Sequence, residues 1–70
     1  MNNADPELIN QICLISREGV YLLDMRQVEA KARQLGMENL ADLIDDDLKN
    51  NRITDGQYYP IVAGIFGVQS

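Results

Sequence analysis

Residues 58–68 form an eleven-residue stretch without a charged side chain, and eight of its members are apolar or aromatic. A helix of that composition has no polar face to give to water, so its side chains need cover from this chain, from a second copy or from a partner. The chain has only 70 residues from which to build that cover. A chain of this length buries roughly 60% of its unfolded surface, and its own core contributes about 3–5 kcal/mol at best unless a staple or a second subunit extends it. With one cysteine, Cys13, and no histidine, neither an intrachain disulfide nor a structural zinc site fits. Self-association, as a homodimer, is the remaining route to stability.

Apolar periodicity upstream of that stretch is helical. Asp5, Pro6 and Glu7 make a helix start, with a cap, a residue suited to the first turn and a charge that complements the dipole. Leu8, Ile9, Ile12, Cys13 and Ile15 follow at helical spacing, and Gly19 stops the run, which predicts a helix over about residues 6–18. Residues 20–23 are the one strand-like stretch, but a lone strand has no partner, so a connector is expected there. Asp24 and Gln27 read as a capping box before Met25, Val28, Ala32 and Leu35, and Gly36 ends a second helix over about 24–35. Met37, Leu40, Ala41, Ile44 and Leu48 make a third stripe, over about 38–50, with Glu38, Asp42, Asp45, Asp46 and Asp47 expected on its outer side. Asn50 and Asn51 make a turn, and Thr54 to Gln57 reads as a further capping box opening the last helix, with either a kink at Pro60 or a helix over about 57–67 expected. The expected fold is all-α, a small bundle of three to four short helices in a single domain spanning 1–70, with 1–5 unstructured.

Residues 46–57 resemble a degraded EF-hand loop. Asp46 stands at the first ligand position, Asn50 at the fifth and Ile53 at the apolar eighth. Leu48 occupies the third ligand position, Asn51 replaces the usual glycine, and Gln57 stands where a bidentate Glu closes the site, so the expected element is a capped helix-loop-helix turn without calcium. Residues 28–48 resemble the spacing of a helix-turn-helix through Ala32 and Gly36. The helix that would enter the DNA groove is the most acidic segment of the chain, so phosphate repulsion leaves an ordinary helical hairpin.

Charge and composition exclude further classes. A net charge of -5, with six scattered Lys and Arg, disfavours direct contact with nucleic acid or an anionic membrane. The charge-free stretch is shorter than the about 20 residues that a membrane-spanning helix needs. A single thiol and an opening segment without basic or apolar runs suit the cytoplasm. No histidine, glycine-rich phosphate loop or nucleophile–base pattern is present, and Cys13 lies within an apolar stripe, so no catalytic residue, metal or cofactor is expected.

The sequence therefore points to a non-enzymatic protein-binding regulator or inhibitor. It is expected to self-associate through its apolar C-terminal element, together with residues 20–23 and the edge of the first helix. Tyr58, Tyr59, Ile61, Ile65 and Phe66 are the expected core of that contact, because aromatic and large aliphatic anchors dominate interfaces. Asp42, Asp45, Asp46 and Asp47 are the expected electrostatic face, steering the chain to a protein partner with a basic surface, such as a nucleic-acid-binding surface occluded by an antirepressor or an anti-CRISPR-like inhibitor. The alternative is a structural subunit or small chaperone that folds only within a larger complex.

Overall fold

Three residues with left-handed backbone divide the chain: Gly19 (φ 85°), Gly36 (φ 80°) and Asn51 (φ 58°). Each ends a helix, and each belongs to a residue type that tolerates this conformation. The computed structural model describes residues 5–66. These form α1 (Pro6–Arg17), α2 (Met25–Gln34), α3 (Glu38–Lys49) and α4 (Tyr58–Phe66), with no strand among the described residues. The all-α bundle expected from the periodicity is present. Of the start expected to be unstructured, 1–4 lie outside the described residues, as does the expected last residue of α4, and Asp5 is an ordered cap.

Local chemistry sets the helix ends. Asp5 accepts a hydrogen bond from the Glu7 amide at 3.0 Å, and Asp24 accepts one from the Gln27 amide at 3.4 Å. Past Gly36, the Gly36 amide donates to Arg33 and the Met37 amide donates to Ala32 at 2.7 Å. Past Asn50, the Asn51 amide donates to Leu48 and the Arg52 amide donates to Asp47 at 2.8 Å. Both patterns are Schellman closures, which satisfy the last carbonyls of α2 and α3. Pro60 is the third residue of α4, where a backbone donor has no intrahelical partner, so it fits the first turn.

Apolar stripes from all four helices meet in one core. Ile12 and Ile15 come from α1, Met25, Val28 and Ala32 from α2, and Leu40, Ala41 and Ile44 from α3. Leu22 of the connector and Tyr58 and Val62 of α4 complete it. The α2–α3 hairpin is the most extensive helix pair, α1 and α4 pack on each other, and α4 also rests on α3. The radius of gyration, 11.0 Å, equals the about 11 Å expected of a compact chain of this length. The core thus takes in part of the charge-free stretch, namely Tyr58 and Val62, without a second polypeptide.

Tyr58 is the largest fully buried side chain, and its hydroxyl donates to the Leu22 carbonyl at 2.7 Å. Burial pushes that phenol well above its ordinary value, because the charged form is disfavoured away from water. A raised folded value means that its stabilisation is fully present below about pH 10 and is lost as pH rises beyond it. Tyr58→Phe is expected to cost about 1–2 kcal/mol, since the Leu22 carbonyl then lacks its buried donor. Urea unfolding from neutral to alkaline pH checks both effects: wild type loses stability more steeply above about pH 10 than the Phe variant does.

Candidate protein-docking surface

The connector between α1 and α2 alternates its side chains. Leu22 turns into the core at 7% exposure, while Tyr21 and Leu23 on either side are 69% and 49% exposed. The Tyr58 hydroxyl holds the Leu22 carbonyl from below, which fixes the connector against α4. On α4, Tyr58 and Val62 face inward one turn apart. Tyr59, Ala63 and Phe66 run along the adjacent stripe, as the helical repeat requires. Between the connector and this stripe lies an apolar trough of about 340 Å³. Ser16 and Val20 also line it, Tyr21, Leu23 and Phe66 stand exposed around it, and none of its lining residues is charged.

The residues expected to form the contact divide into three groups. Tyr58 belongs to the chain's own core and offers nothing to a partner, being fully buried with its hydroxyl on the Leu22 carbonyl. Ile61 and Ile65 are half-buried against the core, on the side of α4 away from the trough. Tyr59 and Phe66 line the trough, and Phe66 is 54% exposed. Tyr21 and Leu23, expected in the contact only as part of the 20–23 segment and not as anchors, are prominent parts of the surface. Their signal was the run of four apolar residues at 20–23, of which a small core can accept only alternate members.

The acidic residues of α3 also separate. Asp42 accepts from Arg33 at 3.4 Å, and Asp45 accepts from Lys49 at 3.1 Å. The Asp46 carboxylate accepts from the Asn50 side-chain Nδ2 at 3.2 Å. Arg33 also bonds Glu29 at 3.2 Å, and this bond is the chief reason its guanidinium titrates above its ordinary value. Part of the negative face is therefore neutralised within the chain, and such exposed pairs contribute little to stability.

Asp47 is a correction. Expected on the outer face, it is fully buried, and its Oδ2 accepts from the amides of both Gln57 and Tyr58 at 2.8 Å. It is thus the N-terminal cap of α4, supplied from ten residues upstream instead of by Thr54. Gly56 makes this possible, since a Cβ there would lie 2.5 Å from the Asp47 carboxyl carbon. The legible signal was register: Leu40, Ile44 and Asp47 follow at four- and three-residue steps on the buried stripe.

Among the described residues, no group of three or more His, Cys, Asp or Glu side chains is placed to hold a metal ion, and no helix is long and apolar enough to cross a membrane. Asp47→Ala is expected to lower stability by about 2–3 kcal/mol by stranding two amides of α4. Asp42→Asn with Asp46→Asn is expected to change it by less than about 1 kcal/mol. Urea melts of the two variants beside wild type measure the contrast. No family model matches this chain, and no curated protein or solved structure is detectably similar to it.

Proposed function

We propose that the protein is a non-enzymatic, protein-binding regulator of the cytoplasm that pairs with a second copy of itself through the trough between the connector and α4. The observation that carries this reading is the cluster of Tyr21, Leu23 and Phe66, each about half exposed or more, around an apolar hollow. Contiguous apolar surface of this kind on a small chain marks a contact site. Charge favours the second copy. The chain carries a net charge of -5, so two copies repel each other in most orientations, and a face whose lining is wholly uncharged is where they approach at least cost.

Tyr59 and Phe66 supply aromatic anchors that α4 has already ordered. Pairing there leaves α3 outward, with Asp42, Asp45 and Asp46 available to a basic target. An inhibitor that covers a nucleic-acid-binding surface is the kind of regulator this arrangement suits, and Asp47 is withdrawn from that role by burial. Sedimentation equilibrium across a wide range of concentration tests the pairing. Wild type is expected to shift from monomer to dimer, while Phe66→Asp and Leu23→Asp stay monomeric with unchanged helicity. A wild-type chain that remains monomeric at the highest concentration would overturn the proposal.

A further inference from the structure

The attachment of α4 to the rest of the fold differs from that of the other helices. Its side chains in the buried core are Tyr58 and Val62, with Ile61 and Ile65 packed against it, and α1 supplies as few, Ile12 and Ile15, while α2, α3 and the connector supply the remaining seven members. Residues 50–57, which tether it, are exposed except for half-buried Gly56. Two polar contacts anchor it: the Asp47 carboxylate on its first amides and the Tyr58 hydroxyl on the Leu22 carbonyl. The first contact is costly when closed, because Asp47 is fully enclosed and its Oδ1 has no hydrogen-bond partner. Removing a carboxylate from water carries a large penalty, which bonds to one oxygen offset only in part.

We propose that α4 is a latch that opens as one unit, with the Asp47 carboxylate as its catch. Opening rehydrates Asp47, including the orphaned Oδ1, and leaves α1–α3 holding most of the core. It also bares both sides of a helix whose described residues carry no charge, so the closed form masks Tyr58 and Val62 from other chains. This latch is a property of the isolated chain and does not rest on the pairing proposed above.

Native-state hydrogen exchange on the full-length chain, at a concentration low enough to exclude dimer, tests it. Amides of residues 62–66 are expected to exchange through a shared opening, with protection at least about tenfold below that of the slowest amides in α2 and α3. Tyr58→Phe is expected to lower protection in both regions by the same factor, since it destabilises only the closed form, and so to keep the ratio between them constant. Asp47→Ala also destabilises only the closed form, by a larger amount, and is expected to leave α4 nearly unprotected while α2 and α3, held by the open form's own core, stay at least about tenfold better protected. Equal protection of α4 and the α2–α3 core in wild type, or α2–α3 protection that collapses to the level of α4 in Asp47→Ala, would overturn the proposal.

Discussion

The bond between the Asp47 carboxylate and the start of α4 is the contact on which the rest of the arrangement depends. A helix begins with amides that have no internal acceptor, and when the helix start is packed against a core these amides must find one nearby. The α3 register puts Asp47 on the buried stripe, and the absence of a side chain at Gly56 lets the 50–57 turn close over it. With that cap in place, Tyr58 is directed inward to the Leu22 carbonyl, and the same contact positions the connector that forms the opposite wall of the trough. One carboxylate thus fixes a helix start, a core tyrosine and, through them, the geometry of the exposed surface.

This arrangement explains how a short chain handles an apolar segment with no polar face. The helical repeat lets the core accept the Tyr58–Val62 edge of α4. Ile61 and Ile65 are covered in part, while Tyr59 and Phe66 are left against the trough. The burden expected to fall on a second polypeptide is therefore divided. The interior takes one stripe, and the remaining stripe joins Tyr21 and Leu23 as surface. Leu14, Leu35 and Ile53 are exposed elsewhere, but Tyr21, Leu23 and Phe66 gather around one hollow whose lining lacks charge.

Helices α1 to α3 were legible because their signals are local. Gly19 and Gly36 end helices through backbone conformations that other residues resist, Asp5 and Asp24 cap within three residues, and the stripes of α2 and α3 repeat cleanly. The start of α4 was misread because its cap is not local. Thr54 and Gln57 offer the spacing of a capping box, but the acceptor is Asp47, which composition assigns to a charged outer face and only register assigns to the interior. Tyr58 was placed at an interface for a similar reason. Aromatic character alone does not separate a core residue from an anchor, and here the choice was made by the buried carbonyl of Leu22, which needed a donor. Tyr59 and Phe66 were chosen on the same aromatic character, and the structure sets both along the trough; reading 20–23 one residue at a time picks out Tyr21 and Leu23 beside them.

The functional account reduces to the claim that the trough is where this protein meets a second copy. Chemical shifts of the labelled full-length chain followed over a dilution series address it most directly, because they locate the contact as well as detect it. The account predicts concentration-dependent shifts concentrated at Ser16, Tyr21, Leu23, Tyr59, Ala63 and Phe66, with Arg33, Asp42 and Asp46 unmoved. Spectra that are identical at every concentration, or shifts clustered on the α2–α3 face instead, would contradict it.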